Sequence, residues 1–179
     1  MTIAIAGATG NIGRATALSL IDSGVDDVRL LVRSAAKIPD ELKGLPYAVC
    51  TYADDEAALA ALKGVDALLM VSAKESPRRV ADHRAFIDAA SRARVGSIVY
   101  TSFLGAAPEA IFTHARDHFF TEEHIKASGI DWTFLRDSFY LEFFAALLAS
   151  GEIRGPAGDG ACAGVSRSDV ARVAAAVLA

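Results

Sequence analysis

Cysteine is scarce in this chain, with two thiols, Cys50 and Cys162, in 179 residues. They lie far apart and show no metal-type spacing, which excludes a zinc-ribbon site and a disulfide framework. Both sit among small apolar neighbours and read as buried, reduced thiols. Charge of one sign is also lacking. Eighteen Lys and Arg stand against 22 Asp and Glu, for a formal net charge of −4. No long basic run occurs, so neither nucleic acid nor an acidic membrane surface is expected as a general partner. Long hydrophobic runs are missing too, and none reaches the ~20 residues that a membrane-crossing helix needs. No basic segment precedes the first apolar stretch, Ile3–Ala6. The N-terminus therefore reads as a strand and not as a secretory signal, and the expected location is the cytoplasm.

What is present is apolar and finely divided. Hydrophobic residues make up 53% of the chain, which excludes a disordered one. A chain of this length has the prior of one domain with a sizeable core. Short apolar runs predict strands at Ile3–Ala6, Val28–Val32, Tyr47–Cys50, Ala67–Val71, Ser97–Thr101 and Trp132–Leu135. The first, second, fourth and fifth are almost continuously apolar, as parallel strands covered on both faces are. Helical patterns alternate with them: Arg14–Ser23, Glu56–Lys63, Arg78–Ala93, Ala115–Ser128 and Phe139–Ala149, several ending at a glycine. This alternation predicts an α/β fold, a doubly wound parallel sheet of Rossmann type with right-handed crossovers. The stretch from Ile153 to Val165 is rich in Gly and Ala and reads as a hairpin or an irregular crossover. Ser166-Arg167-Ser168-Asp169 then offers caps for a last helix, Val170–Leu178.

The strongest motif is Gly7-x-x-Gly10-x-x-Gly13, between the first strand and the first helix. In that context Gly7 permits the sharp turn, Gly10 a close backbone approach to a pyrophosphate, and Gly13 helix packing against the sheet. The helix N-terminus adds free N–H groups and a positive dipole end. A dinucleotide is the expected ligand. About 20 residues further on, NAD-preferring proteins carry an acid on the ribose 2′-hydroxyl. Here the second strand is followed by Arg33, supported by Lys37, and an arginine fork suits a 2′-phosphate. NADP(H) is therefore expected, with NAD(H) the alternative. Val71, Ser72 and Ala73 follow the fourth strand, and Thr101 and Ser102 the fifth, so both segments should line the crevice at the strand ends. Their hydroxyls are also consistent with simple turn chemistry.

Taken together, several segments resemble one family. They are Ala6–Gly13, Leu31-Val32-Arg33, Tyr100-Thr101-Ser102, the helix holding Asp117-His118 and Thr121-Glu122, and Ser128–Arg136. The chain resembles the NmrA-like branch of the atypical short-chain dehydrogenase/reductases, and within it the NADPH-dependent quinone reductases. The resemblance implies NADP(H) held by Gly7, Thr9, Gly10, Asn11, Ile12 and Gly13 at the pyrophosphate and by Arg33 at the 2′-phosphate. It also implies hydride transfer to a quinone and a small C-terminal substrate region. On that reading residues 1–150 are the nucleotide-binding domain. Residues 151–179 are the beginning of the substrate region, which in relatives runs on for roughly another hundred residues.

Departures are visible too. Where relatives tend to carry an acid after the third strand, this chain has Tyr52, with Asp54 and Asp55 as substitutes. The Tyr-x-x-x-Lys pair of the wider superfamily is absent. Four residues beyond Tyr47, Tyr52, Tyr100 and Tyr140 stand Thr51, Glu56, Leu104 and Phe144. Without that tyrosine base, a sugar-nucleotide epimerase or dehydratase is disfavoured.

The remaining candidates lie toward the C-terminal end. His114, His118 and His124 flank one helix, but they do not share a face as three metal ligands would, and no metal is expected. His118 reads either as half of an i, i+4 pair with Glu122 or as a proton donor facing the nicotinamide crevice. Arg136-Asp137-Ser138 and Tyr140 follow the sixth strand at its carboxyl end, the mouth of the site, where substrate contact is expected, and Tyr140 is a second candidate catalytic residue. Arg136 reads equally as an ion-pair partner for Asp137 or for an acid on the preceding helix. His83 reads as packing or capping. The Phe119–Phe120 and Phe143–Phe144 pairs read as core or dimer surface. The first reading is thus an NAD(P)H-dependent oxidoreductase acting on a small molecule such as a quinone, with a homodimer as the candidate assembly. The alternative is a redox-sensing regulator that binds the dinucleotide without turnover.

Overall fold

The apolar runs become six strands of one sheet: β1 (Ile3–Ala6), β2 (Val28–Val32), β3 (Tyr47–Val49), β4 (Ala67–Met70), β5 (Ser97–Phe103) and β6 (Asp131–Asp137). The computed structural model describes residues 1–149, 151–152 and 158–179. Strand order is β3-β2-β1-β4-β5-β6, and every neighbouring pair is parallel. The expected doubly wound α/β sheet is what forms. Its order reverses between β1 and β4, and a ligand crevice belongs beyond the carboxyl ends of those two strands.

Alternation along each strand supplies both faces of the sheet. Ile3, Ile5, Leu30, Leu69 and Val99 face helices α1 (Asn11–Asp22) and α6 (Arg167–Leu178), packing with Leu20, Ala174 and Leu178. Ala4, Leu31, Leu68, Met70 and Ile98 point the other way. They pack with Leu62 of α2 (Asp55–Leu62), Phe86 and Ile87 of α3 (Arg79–Arg92) and Ile125 of α4 (Thr113–Ala127). The short α5 (Leu141–Leu148) buries none of its side chains.

Several boundaries differ from the sequence expectation. α1 begins at Asn11 and not at Arg14, so Asn11, Ile12 and Gly13 form its first turn. β5 and β6 each run two residues further at their carboxyl ends, because Ser102 pairs with Arg136 and Phe103 with Asp137. A parallel ladder satisfies the backbone whatever the side chains are. β6 is an edge strand with no wholly buried residue, and Trp132 is 46% exposed despite the apolar pattern. Two short 3-10 turns, Ala35–Lys37 and Asp40–Leu42, were not foreseen.

Further corrections concern side chains. Cys50 is buried as expected, but Cys162 is exposed, because it lies in the irregular stretch 158–164 with no element packed over it. Phe120 and Phe143 are 40% and 47% exposed, so neither phenylalanine pair is core. The hairpin or crossover expected from Ile153 falls partly on residues 153–157, outside the described residues. Beyond them Val165 forms a parallel bridge to Tyr140, and the Ser166 hydroxyl caps α6 by accepting from the Asp169 N–H at 3.0 Å. No helix among the described residues is long and apolar enough to cross a membrane.

Candidate active site

The glycine loop turns directly off β1. Gly7 has φ +78°, a left-handed conformation, and an added Cβ would stand 3.1 Å from that of Val71. A Cβ on Gly13 would fall 2.5 Å from the Gly7 carbonyl oxygen, so the first turn of α1 reaches the loop only without a side chain there. Gly10 is different. Its N–H donates to the Gly7 carbonyl at 2.8 Å, and an added Cβ would meet only that oxygen, at 3.3 Å.

The end of α1 is built for an anion. Its cap, Gly10, offers no side-chain acceptor, and no acid occupies the first turn. By contrast, Asp54 caps α2, with Asp55 and Glu56 in the first turn, and Ser166 caps α6. The free N–H groups of α1 keep their dipole and hydrogen-bonding capacity for a ligand. A cavity of about 580 Å³ lies in front of them, bordered by Gly7, Thr9, Gly10, Arg33, Ser72 and Ala73. Arg33 is exposed at its rim and has no ion-pair partner among the described residues. Cys50 and Tyr52 form the opposite wall. Burial pushes the Cys50 thiol up to about 11, so it remains protonated. These features fit an elongated dinucleotide carrying a diphosphate and a further anionic group.

Sequence reasoning placed Asp54 and Asp55 here, and that is corrected. The Asp54 carboxylate accepts from the Ala57 N–H at 3.1 Å as the α2 cap, and Asp55 pairs with Arg92. Tyr52 fills the position, donating to the Val71 carbonyl at 2.6 Å and stacking on Phe86 at 4.3 Å between centroids.

Beyond β4, the chain is clamped by buried groups of α3. The Ala73 N–H donates to His83 Nε2 at 3.0 Å, and Arg79 Nε donates to the Ala73 carbonyl at 2.9 Å. Thr101 Oγ1 accepts from the Ser72 N–H at 2.8 Å. Thr101 therefore holds the loop from behind, while Ser72 and Ala73 border the cavity.

The clamp continues into a polar network whose proton positions are determined. Arginine has only donors, so Arg79 Nη2, 3.0 Å from His118 Nε2, makes that nitrogen an acceptor. The His118 ring proton then sits on Nδ1, 2.9 Å from the Tyr100 hydroxyl. His83 likewise accepts at Nε2 and donates from Nδ1 to Thr121 Oγ1 at 2.9 Å. Thr121 donates onward to the Asp117 carbonyl at 2.8 Å. Burial, with the Arg79 charge second, pushes His83 down to about 3 and His118 down to about 2. Both rings are neutral. Arg79 is 2% exposed, and its charge is answered by Asp117 at 3.3 Å.

The expected His118–Glu122 pair does not form. Glu122 is wholly buried and accepts from Arg136 at 3.0 and 2.6 Å and from the Ser102 hydroxyl at 2.5 Å. Arg136 thus pairs with the acid on the preceding helix, one of the two partners foreseen for it. His114 turns to Glu75 and His124 to Asp88, so the three histidines do not converge.

A second cavity, of about 250 Å³, shares Ser72, Ala73 and Lys74 with the first as lining residues. Ser102, Phe103, Phe112, His118 and Phe139 border it, with Asp137 and Tyr140. The three phenylalanine rings lie edge-on or tilted to one another at 5.4–5.9 Å. The Tyr140 hydroxyl donates to Asp137 Oδ2 at 3.1 Å. Burial pushes the Asp137 carboxyl up to about 6, against the pull of that hydrogen bond. Burial and the neighbouring carboxylate also raise the Tyr140 hydroxyl.

Of the residues singled out from sequence, Gly7, Thr9, Gly10, Arg33, Val71, Ser72 and Ala73 border the first cavity, and Ser102, His118 and Tyr140 the second. Asn11, Ile12 and Gly13 form the helix turn behind the loop, and Lys37 stands outside the lining on its 3-10 turn. Asp137, expected at the mouth of the site from its place after the sixth strand, and Phe103, in the segment that ends the fifth, both border the second cavity. Arg79, His83, Phe112 and Phe139 were not foreseen as site residues.

Residues 7–179 match the model of a family described as NAD(P)H-binding. Quinone oxidoreductase 2 of Escherichia coli is 37% identical over 98% of this chain. The E. coli NADPH-dependent quinone oxidoreductase crystallised with NADPH superposes with TM-score 0.91 at 37% identity, over 99% of this chain and 64% of that one. Triphenylmethane reductase of Citrobacter sp. with NADP(H) gives 0.89 at 31% identity, over 99% of this chain and 65% of that one. The chain spans 63% of the length of the curated quinone oxidoreductase. Glycine loop, strand order and sequence match agree, and the chain belongs to this NAD(P)H-binding family.

Proposed function

We propose that the chain holds NADPH along the 580 Å³ cavity and passes a hydride to a quinone-like aromatic acceptor in the adjoining 250 Å³ one. The observation that carries this reading is the border that the two cavities share at Ser72-Ala73-Lys74, one facing a free helix N-terminus and the other faced with phenylalanine. The loop and the first turn of α1 receive the diphosphate. Arg33 pairs with the 2′-phosphate, with Lys37 adding charge from the turn beyond. Asp82 Oδ1, at the edge of the first cavity, makes no hydrogen bond and lies 3.4 Å from Arg78 Nε, which leaves it capacity to accept from a hydroxyl or amine of the nucleotide.

When bound, the reduced nicotinamide supplies the hydride, and the chain contributes position. Proximity and alignment carry most of such a reaction, so the missing Tyr-x-x-x-Lys pair is no obstacle. Phe103, Phe112 and Phe139, packed on one another, offer an apolar wall for a planar acceptor and exclude water. Ser102 gives its proton to Glu122, which leaves its oxygen as an acceptor for a carboxamide N–H. His118, capped by Arg79, orders the wall instead of giving up a proton.

The test is loss of the near-ultraviolet absorbance of reduced nicotinamide, with NADPH and a simple benzoquinone, on protein of natural length. Quinone-dependent loss, faster with NADPH than with NADH, is the expected result. No loss with cofactor demonstrably bound would sink the reading. The non-catalytic regulator is not favoured, since the similar proteins carry the names oxidoreductase, phosphate reductase and azoreductase.

A further inference from the structure

Reduction of a carbonyl acceptor needs a proton as well as a hydride, and the polar network behind the cavity has none placed to give: the Tyr100 hydroxyl is wholly buried, hydrogen-bonded to Thr121 and outside the cavity lining. His118 and His83 each hold one ring proton, and each of those is engaged in a hydrogen bond. Their other nitrogens are blocked by Arg79 and by the Ala73 N–H. Ser102 and Thr121 direct their protons to Glu122 and to the Asp117 carbonyl. Resting on the quinone-reductase reading above, the geometry points to Asp137 as the catalytic proton donor, with Tyr140 as the residue that positions its carboxyl.

Asp137 ends β6 at the cavity wall, among the phenylalanine rings. One of its oxygens is fixed by Tyr140. Tyr140 is itself held by the Val165 bridge, with the Arg167 guanidinium 5.1 Å over its ring. The other charged or titratable groups bordering the cavity are Lys74, Glu75, Arg79, His114 and His118, and Glu75 and Arg79 are already paired with His114 and Asp117. The desolvation that raises the Asp137 carboxyl increases when an aromatic acceptor displaces water.

The step balances as follows. The acceptor gains a hydride with its electron pair and is left with a negative charge on oxygen. The Asp137 O–H bond breaks, an O–H bond forms on the acceptor, and the charge passes to the Asp137 carboxylate. Water at the cavity mouth returns the proton. The net reaction consumes NADPH, one proton and the quinone, and releases NADP⁺ and the hydroquinone.

Three proteins are compared: wild type, Asp137→Asn and Tyr140→Phe. Each is followed by kcat against pH with NADPH and benzoquinone, by NADPH binding, and by the infrared carboxyl band of the cofactor-free protein. In the wild type kcat falls as pH rises through the Asp137 titration, because the acid form is the donor. Asp137→Asn lowers kcat by about 100-fold, at the lower end of general-acid contributions, abolishes the inflection and leaves NADPH affinity unchanged. Tyr140→Phe keeps the inflection but moves it to higher pH, since the lost hydrogen bond favoured the carboxylate. The wild-type infrared spectrum must contain a carboxyl component that titrates at or below the pH of the kcat inflection, and that component must be missing in Asp137→Asn. An unchanged pH profile in Asp137→Asn, or no titrating band in the wild type, overturns the assignment while leaving the reductase reading intact. A wild type that binds NADPH and shows no quinone turnover overturns that reading, and this inference with it.

Discussion

Arg79 Nη2 lies 3.0 Å from His118 Nε2, and this contact determines the protonation of the wall between the two cavities. Together with the Ala73 N–H on His83, it holds two buried imidazoles neutral. Their folded-state values of about 2 and about 3 lie far below the 6.5 of a free histidine. The unfolded chain therefore binds more protons below pH 6.5, and stability present above that value is lost as pH falls. The two rings together should cost roughly 3 kcal/mol per pH unit in the acid range. Urea unfolding at neutral pH and at about pH 5 reads this directly, and equal midpoints would contradict it.

Two glycines of the loop should separate stability from binding. Gly13→Ala forces a Cβ to within 2.5 Å of the Gly7 carbonyl. It should destabilise the fold by about 1–3 kcal/mol and also weaken NADPH binding. Gly10→Ala meets nothing closer than 3.3 Å within the protein, so denaturation should barely move while NADPH affinity drops. Denaturant midpoints and cofactor titrations on both variants decide the matter.

Arg33 stands at the cavity rim without an ion-pair partner among the described residues. A hydrogen bond to a charged group contributes ~1.5–3 kcal/mol, so Arg33→Ser should weaken NADPH about 10- to 100-fold and leave NADH nearly unchanged. An equal loss for both cofactors would remove Arg33 from the 2′-phosphate.

Glu122 is wholly buried, whereas its partner Arg136 has a side chain 45% exposed. Arg136→Ala leaves a buried carboxylate with Ser102 as its remaining hydrogen-bond donor. The expected loss is about 2 kcal/mol, below the ~3–5 of a wholly buried pair, because water reaches the arginine side. Replacing both partners, Glu122→Gln with Arg136→Ala, should restore part of it. A double variant less stable than the single one would show that the carboxylate is not the source of the cost.

Much of this architecture was legible from local pattern. Ile3-Ala4-Ile5-Ala6 leading into Gly7, Gly10 and Gly13 specifies a strand, a tight turn and a helix within one short segment, so fold class and cofactor loop could be read without tertiary knowledge. Apolar runs located every sheet member to within a few residues, most sharply β1, β2, β4 and β5, because an inner parallel strand buried on both faces leaves an almost unbroken apolar run. Side chains whose role depends on distant partners were a different matter. His118 and Glu122 are four apart on α4, yet they turn to Tyr100 and to Ser102 on β5. Asp137 could be placed at the mouth of the site from its position after the sixth strand, but its desolvation arises only where three phenylalanines from separate segments and Tyr140 gather around it. Hydrophobic period, turn chemistry and helix capping act over a few residues, so the chain itself carries them. In the buried network of His83, His118 and Glu122, desolvation and hydrogen-bond partnership are set by groups 10 to 40 residues away, such as Arg79 with His118 across 39 positions, and only the folded packing decides them.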